Sequence, residues 1–440
     1  MHTIHSADPT VAKLIPPGKP SVGVRYIPSL FALPFAHNGK RYAFHTLTKQ
    51  CVEAILPASA MAGEGYDELI AARFLVPENT DECAFYLSVS QMLRAFHKVQ
   101  GVPSYTILPT LACNARCTYC YEEGRVPKTM TVETADRVVR YISDTHAKSP
   151  VKLTWFGGEP LLCEGIIDRI TAGLRDAGIA FQCKMVSNGS LITPSVLEKM
   201  QTDWNLRSVQ ISMDGAETDY YTRKCYYREQ GQYHHVLSAI DRMSEAGIRV
   251  ALRCNVDEGN ITGVDAFLND LNRCITHKDN VYPYLSPLND ARVGENDVSI
   301  WKQVIAFRER IRQAGFRPLL YKSLKMQFRV HYCMADSGCV VIGPDGGLYP
   351  CEHCPEESRF GNVFDGVTDA EAKRRFCRTD RVREMCRSCP FLPECTSFSS
   401  CPWHDTHCRK VRMLLALDDL NRMIDKQTES ETAESAFSDC

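Results

Sequence analysis

The sequence predicts an α/β protein whose central part is a partial barrel of six β/α repeats, a (β/α)6 arrangement. Strands and helices alternate through the middle of the 440-residue chain. The strands are apolar enough to be buried on both faces, as in a parallel sheet covered by helices. Six repeats fall short of the eight that close a full barrel, and site residues are expected at the carboxyl ends of the strands.

The individual elements of the barrel follow from apolar periodicity and its interruptions. Six short apolar segments predict strands at Tyr105–Leu108, Val151–Trp155, Gln182–Val186, Ser208–Ile211, Arg249–Arg253 and Val281–Leu285. Six segments with helical spacing predict helices at Val132–Ala147, Glu164–Ala177, Pro194–Met200, Tyr233–Ala246, Val264–Arg273 and Ile300–Ala314.

The length exceeds that of one ordinary core, so several domains are expected. The predicted division is an N-terminal module at 1–100, the barrel at 101–318, a cysteine-rich domain at 319–410 and a C-terminal segment at 411–440. That last segment continues a helix of about Lys410–Lys426 and ends in a polar tail from Thr428, which we expect to be disordered.

In the N-terminal module, alternating apolar residues predict a strand over Val24–Phe35 and a hairpin partner at Arg41–His45. Apolar spacing predicts short helices at Cys51–Leu56 and Tyr66–Ala72 and a longer amphipathic helix at Phe85–Val99. The module therefore combines a small sheet with helices.

Charge and hydropathy limit the class of partner. The formal net charge is -2, which argues against nucleic acid or an anionic membrane as a partner. The sequence has no apolar run of 18 residues and no signal peptide, so a cytoplasmic protein is expected.

Cysteine is unusually frequent, with 21 residues in the chain. A large chain with no export signal favours metal binding or catalysis over a disulfide framework. Ten of the cysteines lie between Cys333 and Cys408 in a segment rich in Gly, Pro and Arg. Metal ligation would supply the stability that such a segment cannot obtain from a core.

The most informative motif follows the first barrel strand. Cys113, Cys117 and Cys120 have the spacing C-x3-C-x2-C, and three thiolates can bind three irons of a [4Fe–4S] cluster. The fourth iron would then remain open to another ligand. The alternative is a zinc knuckle or a set of reduced thiols, although zinc sites usually pair C-x2-C spacings.

With an aromatic residue before the third cysteine, this motif resembles the signature of the radical S-adenosylmethionine (SAM) superfamily. The sequence Gly157-Gly158-Glu159-Pro160, after the second strand, resembles the GGEP motif that holds the SAM amino group in that family. Glycines permit close backbone approach, and a carboxylate complements an ammonium group. The resemblance implies a SAM-binding [4Fe–4S] cluster and a 5′-deoxyadenosyl radical, and it implies that the predicted barrel is a radical SAM barrel.

Other residues at the strand ends match positions that surround SAM in the family. Tyr119 resembles the aromatic position beside the adenine, and two later segments resemble those that line the ribose and methionine. The resemblance therefore implies cofactor contacts at Ser187, Asn188, Ser212 and Asp214, with Arg223 and Arg253 as candidate partners of the SAM carboxylate. For Tyr119 the alternative is simple packing of the cysteine loop, and for each of the other residues it is an ordinary loop or strand-end hydrogen bond.

The second cysteine block resembles the SPASM domain of peptide- and protein-modifying radical SAM enzymes, which carries two auxiliary [4Fe–4S] clusters. The resemblance implies one cluster on Cys333, Cys339, Cys351 and Cys401 and a second on Cys386, Cys389, Cys395 and Cys408. The spacings after Cys395 depart from the family pattern, and Cys354 and Cys377 are surplus thiols that can substitute as ligands. A pair of zinc ribbons is the alternative.

Glu352, directly after Cys351, occupies the position of an Asp that acts as a base in related sulfatase-maturing enzymes. The resemblance makes Glu352 a candidate general base, which requires a pKa tuned by its surroundings. A solvated carboxylate, or one bound to a nearby Arg, is the alternative.

The N-terminal module resembles the small winged-helix unit with which radical SAM peptide maturases bind the leader of a ribosomal precursor peptide. An exposed strand edge suits such a peptide. The whole resemblance implies a peptide-modifying enzyme, with Cys thioether cross-links as the leading product and flavodoxin or ferredoxin as electron donor. The alternatives are a carbon–carbon side-chain cross-link, formylglycine formation in a sulfatase and, without enzymatic activity, a metal-binding scaffold.

Overall fold

The structure is a computed structural model of the whole chain. It describes residues 1–96, 100–120, 122–147, 150–227, 232–288, 298–319, 324–328, 330–331, 333–353, 356–375, 382, 384–394 and 408–438. The chain divides into two compact units, each considered by itself. The first contains 1–98, 321–333 and 378–440, and the second contains 99–320 and 334–377.

The first unit begins with seven short strands and three helices. In chain order they are β1 (His2–His5), α1 (Pro9–Leu14), β2 (Arg25–Pro28), β3 (Ala32–His37), β4 (Lys40–His45), β5 (Cys51–Glu53), β6 (Ala60–Met61), α2 (Asp67–Ala71), β7 (Leu75–Pro77) and α3 (Glu82–Phe96). Two antiparallel sheets result, a four-stranded one in the order β1-β5-β4-β3 and a three-stranded one in the order β6-β2-β7.

The strand predicted over Val24–Phe35 is two strands in different sheets. Ser29 interrupts it: its hydroxyl donates to Glu82 at 2.5 Å and accepts from the Phe31 N–H at 3.1 Å, so the chain turns there. The β3–β4 hairpin is confirmed, and its two-residue turn uses Asn38 and Gly39 with φ of 48° and 78°. Positive φ at both positions is what a type I′ hairpin turn requires.

The helix predicted at Cys51–Leu56 is wrong, because Cys51–Glu53 forms strand β5. Cys51 and Val52 are fully buried, and β5 pairs with β4 on one side and β1 on the other. Tertiary pairing here overrides a short apolar pattern that fits either element. The helices predicted at Tyr66–Ala72 and Phe85–Val99 are confirmed as α2 and α3, apart from positions 97–99, which lie outside the described residues.

The second unit contains the alternating elements. In chain order they are β8 (Tyr105–Ile107), α4 (Val132–Thr145), β9 (Val151–Trp155), α5 (Glu164–Asp176), β10 (Phe181–Ser187), α6 (Pro194–Thr202), β11 (Leu206–Ser212), α7 (Glu217–Lys224), α8 (Gln232–Glu245), β12 (Arg249–Val256), α9 (Val264–Cys274), β13 (Val281–Pro287), α10 (Val298–Gln313), β14 (Val340–Ile342), β15 (Gly347–Tyr349), β16 (Gly361–Asn362), β17 (Gly366–Val367) and α11 (Ala370–Arg374). All six predicted strands and all six predicted helices are confirmed.

Strands β8 to β13 are parallel and follow one another in spatial order, which is the predicted partial barrel. The sheet stays open, with β13 at one end. Beyond β8 it continues through β14, which is parallel to β8, and then through the antiparallel strands β15, β16 and β17. The segment after Cys339 therefore extends the barrel sheet, a role that its short apolar stretch did not predict.

Helix α7 was not predicted from the sequence. Its eight residues, Glu217–Lys224, are mostly polar, so they show little apolar periodicity, yet Tyr220 and Lys224 are buried. The helix is short and its burial comes from tertiary packing rather than from an apolar stripe.

The first unit is completed by α12 (Glu384–Arg387) and α13 (Cys408–Ser438). Helix α13 contains the predicted helix at Lys410–Lys426 and continues through most of the tail that was expected to be disordered. The tail between Thr428 and Ser438 contains Glu, Ala and Ser but no Gly or Pro, a composition that a helix tolerates. No helix in the described part of the chain is long and apolar enough to cross a membrane.

The compact units do not follow the four predicted domains. The part of the cysteine-rich segment at 334–377 groups with the barrel, whereas 378–440 groups with the N-terminal residues. In the first unit, Phe391 packs in one core with Phe35 and Phe44, and Leu392 packs in another with Tyr86. Shared apolar cores thus join distant parts of the sequence.

A buried ion pair accompanies these cores. The Lys49 ammonium donates to the Glu394 carboxylate, and their side chains are 0% and 1% exposed. Nearby, the Thr46 hydroxyl donates to the Pro390 carbonyl at 2.6 Å. Burial lowers the pKa of Lys49 and raises that of Glu394, and the attraction between the two opposes both shifts. Each charge therefore depends on the other for its stability.

We predict that Lys49→Met lowers the free energy of unfolding by about 3–5 kcal/mol, because it leaves the Glu394 carboxylate buried without its cation. The matched control is Lys40→Met. It removes a lysine from an exposed pair with Glu53, at 3.0 Å with 59% and 32% exposure, where about 0–1 kcal/mol is expected. Thermal unfolding of both variants checks the difference, and equal effects would contradict the assigned role of the buried pair.

Candidate iron–sulfur and cofactor site

The loop that follows β8 carries Cys113, Cys117 and Cys120, and all three are half-buried free thiols. Backbone hydrogen bonds fix this loop, which we call the cluster loop (residues 110–120). The Arg116 N–H donates to the Cys225 carbonyl at 3.0 Å, and the Thr118 N–H donates to the Arg223 carbonyl at 3.0 Å. Backbone carbonyls in the last turn of α7 and directly after it therefore hold one side of the cluster loop in place.

On its other side, the cluster loop contacts the glycine turn after β9. The Gly158 N–H donates to the Thr110 carbonyl at 3.2 Å, and the Glu159 N–H donates to the Ala112 carbonyl at 2.9 Å. A Cβ on Gly157 would lie 2.3 Å from the Thr110 oxygen, and one on Gly158 would lie 2.2 Å from the Ala112 oxygen. Only glycine permits this approach, because the colliding atoms belong to the backbone.

Glu159 is fully buried at the start of the next turn, where Pro160 begins a short 3₁₀ helix. Its carboxylate accepts from the Ser187 hydroxyl at 2.9 Å and from the Asn188 N–H at 2.8 Å. Burial raises the pKa of Glu159, and these hydrogen bonds, followed by the charge of Lys224, oppose that shift. The motif glutamate thus lies beside both residues predicted at the end of the third barrel strand.

Asn188 connects that strand end to the cluster loop. Its amide donates to the Asn114 side-chain oxygen at 2.8 Å and lies 3.9 Å from the Cys113 sulfur. The structure therefore brings Ser187, Asn188 and Glu159 to the same place as the first cysteine, as the strand-end argument predicted.

Asp214, at the end of the fourth barrel strand, is fully buried. The Tyr119 hydroxyl donates to it, and so do the backbone N–H and the side-chain amide of Asn255, at 3.1 Å and 2.8 Å. Burial raises the pKa of Tyr119, so the phenol stays a neutral donor. Both predicted residues are at the site, where they attach the cluster loop to the ends of β11 and β12.

Lys224 is a site residue that the sequence did not reveal. Its ammonium donates to the Ser212 hydroxyl at 2.6 Å and lies 3.7 Å from the Asp214 carboxylate. The side chain is 2% exposed. Because α7 was not predicted, nothing in the sequence indicated that the Lys224 side chain is buried. Most lysine side chains are exposed to solvent.

Arg223 precedes Lys224 and has a different environment. Its guanidinium forms a bidentate ion pair with Asp257, at 3.1 Å and 2.9 Å, and lies 5.4 Å from the centre of the Tyr119 ring. Hydrogen bonding to Arg223 lowers the pKa of Asp257 against the effect of its burial. Asp257 is a second residue that sequence reasoning missed, since it follows β12 without any recognisable motif.

Arg253 lies on β12, and its Nε is buried with no hydrogen-bond partner. Its charge acts on His353, as does that of Arg125 from the segment after the cluster loop. His353 in turn lies 3.9 Å from Glu352. Burial lowers the pKa of His353, and the Glu352 carboxylate opposes that shift. The candidate base Glu352 thus belongs to a polar cluster that includes Arg253.

The second cysteine block is described in part. Cys339 accepts from the Ser104 hydroxyl at 2.8 Å just before β14, and the Cys351 thiol, just after β15, lies 3.5 Å from Glu352. Cys333 is half-buried. The Cys389 N–H donates to the Cys386 carbonyl at 3.1 Å, so this pair forms a tight turn.

The remaining cysteines of this block, or their side chains, lie outside the described residues. Cys354, Cys377, Cys395 and Cys401 lie outside the described residues. Cys408 begins α13, and its side chain also lies outside them.

The cluster loop fits the cluster predicted for it. Burial raises the pKa of all three thiols, and the charge of Lys224 opposes that shift in each, which favours the thiolate form that a cluster requires. Within the described ranges, no three His, Cys, Asp or Glu side chains could share one metal ion. A four-iron cluster does not require this, because each thiolate binds a different iron.

Comparison with known proteins agrees with this geometry. Residues 107–260 match the model of the radical SAM superfamily, whose members use SAM and a [4Fe–4S] cluster. The serine-type anaerobic sulfatase-maturating enzyme of Klebsiella aerogenes is 22% identical over 333 residues, which cover 69% of this chain and 80% of that protein. The sporulation killing factor maturation protein SkfB of Bacillus subtilis is 22% identical over 292 residues, covering 64% and 68%.

Among solved structures, Streptococcus suis SuiB bound to its precursor peptide SuiA has a similar fold. The TM-score is 0.53 at 12% identity, and the match covers 87% of this chain and 100% of SuiB. The fold is therefore shared over nearly the whole length. Together with the three cysteines and the glycine turn, these findings show that the chain contains a radical SAM domain at residues 107–260.

Proposed function

We propose that this chain is a radical SAM maturase that modifies a ribosomally synthesised precursor peptide, with Cys thioether cross-links as the product. The observation that carries the proposal is the cluster loop, held between the glycine turn and the segment after α7. When bound, the cluster and SAM supply a 5′-deoxyadenosyl radical that takes a hydrogen atom from the peptide. The substrate class rests on relatives described as maturation proteins and on the SuiB–SuiA complex.

The residues divide the work of holding the cofactors. Cys113, Cys117 and Cys120 bind the cluster, and the glycine turn with Glu159 binds the SAM amino group. Ser212 and Arg253 bind the SAM carboxylate. One observation favours Arg253 over Arg223 for this role. The Nε of each arginine is buried without a partner, but the other two nitrogens of Arg223 are already paired with Asp257.

The second cysteine block holds two auxiliary clusters in this proposal. One uses Cys333, Cys339, Cys351 and Cys401, and the other uses Cys386, Cys389, Cys395 and Cys408. Cys339 and Cys351 stand next to the paired strands β14 and β15, and Cys386 and Cys389 share one tight turn. Rigid positions of this kind suit cluster ligands. Cys354 and Cys377 are spare thiols for the same purpose.

The N-terminal residues bind the leader of the precursor peptide. The four-stranded sheet ends in β1 and β3, and an extended peptide can add to such an edge through backbone hydrogen bonds. Electrons come from flavodoxin or ferredoxin in the cytoplasm, and neither nucleic acid nor a membrane takes part.

Formylglycine formation in a sulfatase is the second candidate function. It is favoured by the similarity to the sulfatase-maturating enzyme of Klebsiella aerogenes. Glu352 would act as the base in that reaction. Its carboxylate lies 3.5 Å from the Cys351 sulfur and 3.9 Å from the His353 side chain.

We predict that anaerobically reduced protein cleaves SAM to 5′-deoxyadenosine and, when co-expressed with its peptide, removes two hydrogens per cross-link. The modified Cys then resists alkylation, because its sulfur has become a thioether. Replacing Cys113, Cys117 and Cys120 together by Ala abolishes both products. Chromatography and mass spectrometry measure them.

The control for this test is Cys274→Ala, which removes a half-buried thiol at the end of α9 and leaves both products. An alkylatable Cys in a peptide that has lost two hydrogens indicates a carbon–carbon link instead. An aldehyde in a sulfatase fragment indicates the formylglycine route. No 5′-deoxyadenosine from the iron-loaded wild-type chain would contradict the enzyme proposal altogether.

We predict further that Gly158→Ala prevents assembly of the SAM-binding cluster. The new methyl group would lie 2.2 Å from the Ala112 carbonyl oxygen, which would displace the loop that carries Cys113. Iron and sulfide per chain should fall to the level of the triple cysteine variant.

Gly165→Ala is the matched control, because a Cβ there meets no atom within 4 Å. On α5 that change should retain full iron content and stabilise the helix by up to about 1 kcal/mol. Equal iron in the Gly158→Ala and wild-type proteins would show that the close approach of the two backbones is not needed.

A further inference from the structure

A buried cation lies next to the cluster loop without any role in the proposed assignments. Lys224 is 2% exposed, and its ammonium contacts the Ser212 hydroxyl at 2.6 Å and the Asp214 carboxylate at 3.7 Å. Removing an ammonium group from water costs several kcal/mol unless nearby negative charge offsets it. The position therefore indicates a concentration of negative charge around Lys224.

The Asp214 carboxylate supplies only part of that charge. It also accepts from Tyr119 and Asn255, so it is shared among several donors, and its oxygen lies beyond hydrogen-bond distance of the ammonium. The buried Glu159 carboxylate supplies another part, because the charge of Lys224 acts on it as well. The hydroxyl of Tyr119, which stands between Cys117 and Cys120, donates to the same Asp214 carboxylate that lies 3.7 Å from the Lys224 ammonium, so the cation lies beside the cluster loop.

Other cations near the loop are differently placed. The Arg223 guanidinium forms its bidentate pair with Asp257. The Arg116 side chain, between two of the cysteines, is exposed and donates to the Tyr227 hydroxyl at 2.8 Å. Water screens an exposed charge, whereas a buried charge keeps its effect over several ångströms.

We propose that Lys224 sets the charge balance of the SAM-binding cluster and raises its reduction potential. Reduction adds one negative charge to a cluster that already carries three thiolates, and a fixed buried cation stabilises the more negative state. Cluster potentials depend on net charge and on burial. This inference rests on the cluster assignment in the proposed function, and Lys224 acts in it as a tuning residue rather than a catalytic one.

The place of Lys224 in the chain explains why it lies beside the cluster loop. Lys224 is the last residue of α7, and the backbone that follows directly pairs with the cluster loop through the Cys225 carbonyl. The same short segment therefore places both the loop and the cation.

The test is a redox titration, followed by electron paramagnetic resonance, of the iron-loaded full chain without SAM and without peptide. Lys224→Met removes the charge and keeps a flexible side chain, and Lys224→Arg keeps the charge. Arg116→Gln is the matched control, since it removes one positive charge from the same loop where water screens it. The triple cysteine variant supplies the auxiliary-cluster signal to be subtracted.

At a fixed potential, Lys224→Met should lower the ratio of reduced to oxidised SAM-binding cluster at least tenfold, which is about 59 mV for a one-electron couple. Lys224→Arg should remain close to wild type, and Arg116→Gln should change the ratio by much less than Lys224→Met. If Lys224→Met fails to assemble the cluster while Lys224→Arg assembles it normally, the positive charge is already needed for cluster assembly. That result also supports a role for Lys224 in the charge balance of the cluster.

Two results would overturn it. One is an unchanged potential in Lys224→Met with full iron content. The other is loss of the cluster in both Lys224 variants, which would mean that the side chain serves packing alone. Failure of the proposed function has a different signature. An unmodified peptide leaves the potential of the cluster measurable and the comparison of the Lys224 variants intact, whereas undiminished iron in the triple cysteine variant would overturn the cluster assignment itself.

Discussion

The close backbone contact between the glycine turn and the cluster loop is the constraint on which the site depends. Gly158 and Ala112 approach so closely that no side chain fits between them, and hydrogen bonds from the segment after α7 fix the other side of the loop. A loop held on both sides by backbone contacts has less conformational entropy to lose when its three thiols bind a cluster.

Charge is the second constraint, and it follows from burial. Glu159, Asp214 and Lys224 are all withdrawn from water, where unpaired charges are costly. Glu159 accepts hydrogen bonds from Ser187 and Asn188 at the end of β10. Asp214 is stabilised by Tyr119, Asn255 and Lys224, and Lys224 also donates to Ser212. The strand ends thus form one polar network beneath the loop, which explains why residues from four different strands meet there.

The first compact unit shows how a small module can be stable without a large core of its own. The four-stranded sheet shares one apolar core with Phe391 and helix α13, and helix α3 shares another with Leu392. The Lys49–Glu394 pair lies in the same unit. In the proposed function, the residues that bind the leader and the turn at Cys386–Cys389 therefore belong to one folding unit. The stability of one depends on the other.

The sequence alone determined the barrel and the first cluster motif. Six apolar strands separated by amphipathic helices specify a parallel sheet, because burial on both faces leaves few other arrangements. The motif cysteines and the glycine turn are local in sequence, so their spacing already carries their chemistry. The family resemblance carried by those motifs implied Ser187, Asn188 and Asp214, and they meet in the structure because the strand ends of a parallel sheet lie at one edge.

Only the tertiary structure decided the rest. Pairing with β4 and β1 made Cys51–Glu53 a strand, and packing buried Lys224 on a helix with no apolar stripe. Asp257 pairs with Arg223 across a separation of 34 residues, a contact that no local pattern encodes. These features depend on which side chains are withdrawn from water together, and that is a property of the folded chain rather than of any segment in it.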